Sequence, residues 1–205
     1  MLPRRCVLTK SASENSFCYI EIVERVDSMF FHHLLLLYAM NNQTNGEGVG
    51  QGDECCPRFD PSLWDEKEVT WSNKPFLREK VRSFLHMPIN MGAVFKRGFD
   101  RLERAGAMPV HPIWLSDERS SWGADLLIEM DREVDGADIV RLSGVFLSKV
   151  FEGPYRNIGQ WIGEMGRFVE SRGQKIEKLF FYYTTCPKCA KKYGRNYVVL
   201  VAKVG

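Results

Sequence analysis

The sequence predicts an α+β domain of two pseudo-symmetric β-α-β-β units, which form a curved, mostly antiparallel sheet with helices on one face and a central cleft. An internal repeat is the main observation behind this prediction. Residues 74–106 align with residues 144–173, and in both segments a Phe-Leu pair precedes a proline corner, an amphipathic helix and a final glycine. Two strand-like segments follow each helix, so the same element order is predicted twice.

Each predicted helix has one apolar face. In residues 157–170 the apolar side chains recur at steps of three and four: Ile158, Trp161, Ile162, Met165, Phe168 and Val169. In residues 91–105 the same spacing relates Met91, Val94, Phe95, Phe99 and Leu102. This period is typical of helices that cover one side of a sheet. Asn157 is predicted to be the N-cap of the second helix, and Gly106 and Gly173 are predicted to end the two helices.

The strands are short apolar and aromatic runs that end in polar residues. Residues 111–118 match 178–187 in this pattern, and residues 124–134 match 196–205. Alternation along the strand 178–187 places Phe181 and Tyr183 on one side and Phe180 and Tyr182 on the other. One of these pairs is expected to face a cleft or solvent.

The beginning of the chain differs from the rest. Residues 1–52 are interpreted as an N-terminal extension and linker, because a Leu-rich run is followed by a tract rich in Gly, Asn and Gln. Residues 53–205 are interpreted as the globular domain. The apolar run at 29–40 is about half of the ~20 residues that a membrane span needs, so no membrane association is expected.

Charge and cysteine content restrict the class of protein. The net charge is +2, from 28 basic and 26 acidic residues, which is too balanced for a nucleic-acid-binding face. Six cysteines occur without a secretory signal, so a reducing, cytoplasmic location is expected. The sequence does not specify an oligomeric state.

Aromatic residues predict a small-molecule site. The candidate ligand-binding residues combine aromatic faces with polar tips, as is common in ligand pockets: Trp114, Trp122, Glu129, Tyr155, Trp161, Phe181 and Tyr183. Glu129 lies in an otherwise apolar strand, where a carboxylate faces either solvent or the cleft. On the cleft side, desolvation would suit Glu129 to acid–base work or to holding a cation. Packing in the core is the alternative for each aromatic residue taken singly.

Cys186 and Cys189 form a CxxC and are the candidate metal ligands, although no metal site is favoured. A zinc ribbon needs two such pairs, and the adjacent Cys55 and Cys56 make a poor second one. We place the CxxC in a loop between two strands and favour incidental or structural thiols over zinc, and zinc over a redox pair. No nucleophile elbow, Walker loop, dinucleotide fingerprint or HExxH occurs, so no cofactor is expected.

The segments "GVFLSKVFEGPYRNIGQWIGEMGRFVESRG", "LFFYYTTCP" and "YVVLVAKV" resemble the second half of GyrI-like small-molecule-binding domains, also called bacterial effector-binding domains. The lead-in "CPRFDPSLWDEKEVTW" and the loop "TTCPKCAKKYG" look like a stand-alone branch of that family. The resemblance implies an aromatic pocket with a central glutamate. It also implies that some members hydrolyse electrophilic small molecules through pocket Glu and Tyr residues.

Three functions are therefore considered. The first is cytosolic binding of a hydrophobic or aromatic, in some cases cationic, small molecule in the cleft between the repeats. The second is a hydrolase that uses the same pocket, with Glu129 as the base and Tyr155 or Tyr183 polarising the electrophile. The third is an inhibitor or interaction protein that acts through its surface. Tyr155 is of special interest because the corresponding turn near Pro88 has no tyrosine.

Overall fold

A computed structural model of the chain describes residues 56–84 and 87–205. The predicted extension, 1–52, lies outside the described residues, as do residues 53–55 and 85–86. The elements are β1 (Lys67–Phe84), β2 (Met87–Pro88), α1 (Met91–Arg104), β3 (Trp114–Ser120), β4 (Gly123–Glu129), β5 (Ile139–Glu152), α2 (Ile158–Ser171), β6 (Ile176–Tyr183), α3 (Pro187–Tyr193) and β7 (Tyr197–Val204). Short 3-10 turns at Pro61–Leu63 and Tyr155–Asn157 complete this part of the chain.

Six antiparallel strands form a sheet that closes on itself. The strand order is β1-β4-β3-β6-β7-β5, and β5 pairs again with β1. The closing strand is β1, whose 18 residues are enough to pair with both neighbours. Residues 76–82 of β1 pair with β4, and residues 67–77 pair with β5. The α+β class is confirmed, but the predicted curved sheet is a closed, barrel-like one because this single long strand joins its two edges.

The two longer helices pack on the outside of the closed sheet. Val94 and Leu102 of α1 join an apolar cluster with β1 and β4. Trp161, Met165 and Val169 of α2 join another with β5, β6 and β7. The predicted apolar faces of both helices are thus confirmed. No helix within residues 56–84 and 87–205 has the length and apolarity to cross a membrane.

A third apolar cluster contains no helical residue and fills the inside of the sheet. Its buried members are Trp71, Phe76, Leu115, Leu127, Leu142, Phe146, Phe180, Tyr182, Val199 and Val201. These residues alternate along their strands with those that face the helices, as the two-residue period of a strand requires. The structure does not confirm the predicted central cleft. The order β-α-β-β occurs once, as β2-α1-β3-β4, but in the second unit α3 lies between β6 and β7. Pseudo-symmetry between the two units stays a prediction.

Charged side chains occupy one end of the inner face. Asp117 and Lys178 form an ion pair with 2.7 Å between Oδ2 and Nζ. Asp125 and Lys80 form another, with 2.8 Å between Oδ1 and Nζ. Asp117 and Asp125 are both buried, and buried charges persist where they are paired. These ion pairs therefore cover the apolar core where the sheet ends.

The Gly-Pro-Tyr corner joins β5 to α2. Gly153 has a φ of +140°, which a side chain would strain, and Pro154 continues in an extended conformation. Asn196, which precedes β7, holds the corner through its side-chain N–H, which donates to the Gly153 carbonyl at 2.8 Å. Asn157 occupies the predicted N-cap position of α2, but its side chain makes no capping hydrogen bond.

Gly98 lies where α1 comes close to the sheet. A Cβ atom at this position would stand 2.5 Å from Cδ1 of Ile128, which is fully buried. Because packed neighbours would have to move, we expect Gly98→Ala to lower the free energy of unfolding by about 1–3 kcal/mol in chemical denaturation. Gly92 of the same helix has open space around such a Cβ. Gly92→Ala is the matched control, with an expected change below about 1 kcal/mol; equal losses at both positions would contradict this description of the packing.

Candidate functional site

The site lies where β3 meets β6. These strands share a single register pair in the described chain, Ser116 with Phe181. Ser116 also pairs with Leu126 of β4, whose side chain belongs to the cluster on the outer face beneath α1. Phe181 and Tyr183 belong to the cluster on the outer face beneath α2. Polar side chains on the outer face of this junction therefore lie between the areas that the two helices cover.

Glu118 is the central polar residue of this junction. Its Oε1 accepts a hydrogen bond from Tyr183 Oη at 2.7 Å and a second from Ser116 Oγ at 3.1 Å. Ser116 is almost completely buried, and Glu118 is partly buried. Two strands thus supply one carboxylate and two hydroxyl groups at hydrogen-bonding distance. We call Glu118, Tyr183 and Ser116 the carboxylate–hydroxyl site.

The surroundings of this site favour the protonated forms of both titratable groups. Burial is the main cause that raises the pKa of Glu118, and the hydrogen bonds from Tyr183 and Ser116 partly offset it. Burial, together with the nearby Glu118 carboxylate, raises the pKa of Tyr183 well above that of a free tyrosine. Tyr183 therefore stays a neutral hydrogen-bond donor at physiological pH, and Glu118 is a stronger base than an exposed glutamate.

Tyr155 forms a wall beside the carboxylate–hydroxyl site. Its ring meets that of Tyr183 edge to face, with 5.7 Å between centroids. Its hydroxyl donates to the Thr185 carbonyl at 3.2 Å. The ring of Tyr155 is therefore directed from the Gly-Pro-Tyr corner toward Tyr183. Tyr155, a candidate from the sequence, therefore lies next to the carboxylate–hydroxyl site.

Removal of the Tyr183 hydroxyl is expected to raise the pKa of Glu118 further. In Tyr183→Phe, Glu118 loses the closer of two hydrogen bonds that stabilise its charged form. A carboxyl ¹³C NMR titration measures this shift directly. Tyr155→Phe is the control, because its hydroxyl bonds to Thr185 instead. An unchanged titration of Glu118 in Tyr183→Phe would contradict the hydrogen bond.

Other predicted residues support the site without joining its hydrogen bonds. The ring of Phe181 stacks with that of Tyr183, with centroids 6.1 Å apart. The indole N–H of Trp114 donates to the Tyr183 carbonyl at 2.9 Å. Trp161 is buried and stacks on Phe151 below the corner. Phe181 and Trp114 thus contact Tyr183 directly, whereas Trp161 belongs to the same apolar cluster.

Glu129 and Trp122 are not brought to the site. Glu129 shares the inner face with Leu127 and pairs with Lys74, with 2.5 Å between Oε1 and Nζ. It also contributes to the raised pKa of Tyr182, which reaches about 12 mainly through burial. Trp122 lies in the turn after β3, 65% exposed, against Phe84.

Sequence reasoning missed Glu118 and Ser116. They are two residues apart in "WLSDERS" and so share one face of a strand, which is the signal that was available. Glu129 drew attention instead because it interrupts an apolar run. The contact of Glu118 with Tyr183 spans 65 positions and depends on the pairing of β3 with β6, which no local pattern indicates.

The CxxC does not lie in a simple loop. Cys186 is the N-cap of α3, and its Sγ accepts a hydrogen bond from the backbone N–H of Cys189. A third cysteine, Cys56, joins them. The predicted loop is wrong, because Pro187 at the first helical position and Gly194 after the last residue delimit a short helix. Within residues 56–84 and 87–205, these three thiols form a group whose spacing would allow them to hold a metal ion.

A shallow, solvent-open depression lies elsewhere, on the outer side of α1. Residues of that helix and its end line it: Ala93, Lys96, Arg97, Asp100, Arg101, Arg104 and Ala105. These side chains are mostly basic and solvated, and no residue of the carboxylate–hydroxyl site borders the depression. We therefore place the candidate site at the β3–β6 junction, where the chemically distinctive groups meet.

The fold and the site together define an α+β protein with a closed antiparallel sheet and a partly buried carboxylate held by a tyrosine and a serine. The chain belongs to the family described as bacterial hydrolase, which matches residues 48–204. The more specific resemblance to GyrI-like domains stays a prediction.

Similar solved structures come from Listeria innocua. An uncharacterized conserved protein is 13% identical, with a TM-score of 0.50 over 69% of this chain and 92% of the other. A hydrolase is also 13% identical over the same shares, with a TM-score of 0.46. At these identities the first comparison supports the fold alone.

Two curated relatives are glutamate–tRNA ligases, from Geobacillus thermodenitrificans and Geobacillus stearothermophilus. Each is 25% identical over 142 residues, which cover 65% of this chain and 26% of the ligase. The match therefore spans about a quarter of the length of these enzymes.

Proposed function

We propose that the chain is a hydrolase of electrophilic small molecules, with Glu118 as the general base. The observation that carries the proposal is the pair of hydrogen bonds that Tyr183 and Ser116 donate to one oxygen of a carboxylate whose pKa is raised by burial. Membership of the bacterial hydrolase family supports the reaction class. The proposal keeps the predicted Glu–Tyr chemistry and assigns the base to Glu118 instead of Glu129.

The base step follows from the state of Glu118. A carboxylate has about four acceptor sites, so it can bind a water molecule while keeping its bonds to Tyr183 and Ser116. As water attacks the electrophilic carbon, one of its protons moves to Glu118 and a carbon–oxygen bond forms. The bond to the leaving oxygen breaks, and Glu118 returns the proton to that oxygen. The carboxylate is thereby restored, and no further reactant is required.

Tyr183 and Ser116 have different parts in this scheme. The neutral phenol of Tyr183 can turn its hydrogen bond toward the oxygen that gains negative charge, which is where stabilisation speeds the reaction. Ser116 is too buried to meet a substrate. Its hydroxyl therefore orients Glu118 and is a positioning group, not a nucleophile.

The aromatic neighbours indicate the kind of substrate. Tyr155 is partly exposed and places its ring against Tyr183, and such aromatic surfaces bind flat, apolar molecules well. Phe181 is buried and supports the Tyr183 ring from the core. We therefore expect esters, lactones or epoxides that carry an aromatic or hydrophobic group. Residues of the predicted ligand set that lie away from this junction, Glu129 and Trp122, are not assigned to substrate binding.

A screen of defined electrophiles tests the proposed function. Purified full chain is mixed with p-nitrophenyl acetate, an aromatic lactone and styrene oxide, and the products are identified by mass spectrometry. The proposal expects turnover of at least one class and its loss in Glu118→Gln. Glu129→Gln is the matched control and is expected to retain the activity. Turnover that survives Glu118→Gln would contradict the assignment of the base.

Binding without turnover is the alternative that the same screen detects. The prediction of a protein that binds a hydrophobic, aromatic or cationic small molecule remains a proposal, and so does the prediction of action through the surface. A ligand that raises the thermal midpoint and is recovered unchanged, in a chain that hydrolyses none of the probes, would favour the binding function.

A further inference from the structure

Three cysteine side chains from two distant parts of the chain meet beside α3. The Sγ atoms of Cys56, Cys186 and Cys189 all lie within 4.8 Å of one another, and none of the three is in a disulfide. Cys56 lies 130 positions before Cys186. Two segments that are distant in the sequence thus bring three free thiols together in the folded chain.

The arrangement suits a tetrahedral thiophilic ion. Zinc–sulfur bonds are about 2.3 Å long, so three thiolates on one zinc ion are about 3.8 Å apart. The observed cluster needs little contraction to reach that spacing. The third cysteine also supplies what the CxxC alone lacks, because a pair of thiols does not complete a zinc site.

Backbone N–H groups already point at two of the sulfur atoms. The N–H of Cys186 donates to Cys56 Sγ at 3.3 Å, and the N–H of Cys189 donates to Cys186 Sγ at 3.4 Å. Such donors stabilise the thiolate, which is the form that binds metal, and they orient the ligands from outside the coordination sphere.

The surrounding charges favour an anionic centre. Zinc with three thiolates carries one net negative charge, and α3 carries the exposed Lys188, Lys191 and Lys192. The Cys56 segment is also attached to α3 without a metal: Tyr193 Oη donates to the Cys56 carbonyl, and Arg58 lies 4.7 Å above the Tyr193 ring. Both ligand segments are thus held in place by independent contacts.

We propose that Cys56, Cys186 and Cys189 form a three-thiolate site for Zn²⁺, with a ligand other than these three side chains in the fourth position. The ion would fasten the segment before β1 to the β6–β7 connection. That connection includes Thr185, whose carbonyl accepts the hydrogen bond of Tyr155. The metal would therefore fix the backbone to which one wall of the carboxylate–hydroxyl site is attached. Metal binding is a separate property from hydrolysis, and its test requires no substrate.

Metal analysis of the purified full chain tests this proposal. The chain is expressed with zinc in the medium and purified without chelators, and plasma mass spectrometry is expected to find about one zinc ion per chain. Cys186→Ser and Cys189→Ser are expected to lose most of this zinc. Lys191→Gln, which changes an exposed side chain of α3 but no thiol, is the matched control and is expected to retain it. Zinc content that is unchanged in Cys186→Ser would overturn the proposal.

A measurement on the unaltered chain covers the case in which the variants do not fold. The reduced protein is titrated with a thiol reagent before and after zinc is removed by a chelator, and cobalt is then added. We expect three thiols to become reactive on zinc removal, and cobalt to produce thiolate charge-transfer absorption. A reduced chain that takes up neither metal overturns the proposal. A second outcome would also overturn it: a Cys186–Cys189 disulfide that forms in air in the metal-free protein, with thiol reactivity that zinc does not change. That outcome would indicate a redox pair.

Discussion

Replacement of Glu118 by glutamine is expected to lower kcat/KM by about 10²–10⁴-fold, the usual contribution of a general base, without loss of folding stability. Glutamine has nearly the shape of glutamate and can still accept hydrogen bonds from Tyr183 and Ser116 through its carbonyl oxygen. It cannot take a proton from water. We therefore expect this variant to lose activity while keeping its folding stability.

The difference in stability between Glu118→Gln and the wild type is expected to depend on pH in a defined direction. Burial raises the pKa of Glu118 in the folded chain, so the folded state keeps a proton that the unfolded state has already released. The wild type therefore loses stability as pH rises from the unfolded pKa through the folded one. Glutamine does not titrate, so its thermal midpoint relative to the wild type is expected to rise over that window. A variant that is inactive and also less stable at neutral pH would indicate a structural role for Glu118.

The second large effect is expected inside the closed sheet. Phe146 is fully buried, and its ring lies 4.3 Å from that of Trp71 and 6.4 Å from that of Phe180 between centroids. Phe146→Ala is expected to lower the free energy of unfolding by about 3–5 kcal/mol, because lost apolar contact and a residual cavity both destabilise. That loss is a large part of the stability of an ordinary domain. Urea denaturation measures it.

Trp122→Ala is the matched control for the core substitution. Trp122 is also a large aromatic residue but is 65% exposed and packs on the half-exposed Phe84. We expect its removal to change the free energy of unfolding by less than about 1 kcal/mol. If Phe146→Ala lowered the free energy of unfolding no more than Trp122→Ala, the interior of the sheet could not be a packed core.

The elements that local periodicity specifies were predictable from the sequence. Apolar side chains at steps of three and four residues placed both long helices and their buried faces correctly, including Trp161 and Leu102. Gly106 and Gly173 were expected to end these helices, and both have positive φ. In each case the residues that determine the structure are close together in the sequence.

Closure of the sheet was not predictable in the same way. It depends on the length of β1 and on its pairing with β5, which joins Lys67 to Ser148. Hydrophobic alternation describes which face a strand buries but not which strand lies beside it. One of the two aromatic pairs of β6 was therefore expected to face a cleft or solvent, whereas Phe180 and Tyr182 fill the inner core and Phe181 and Tyr183 lie beneath α2.

The candidate site shows the same difference between what local sequence predicts and what pairing of distant segments determines. Tyr155 and Tyr183 were predicted from their own positions, and the structure places their rings in contact. Glu118 and the contribution of Cys56 to the thiol cluster depend on pairings between distant segments. A carboxylate chosen from one strand alone, Glu129, proved to lie on the inner face with Lys74.

The pH dependence of kcat/KM for the wild-type chain tests the central claim most directly, with a probe that the screen shows to be hydrolysed. If Glu118 is the base, activity falls on acidification with a pKa above that of an ordinary glutamate, because burial raises it. The pKa of this acid limb of the pH profile should be unchanged in Glu129→Gln. The activity from which the limb is measured should disappear in Glu118→Gln. An acid limb that moves with Glu129→Gln, or that persists unchanged in Glu118→Gln, would contradict the account.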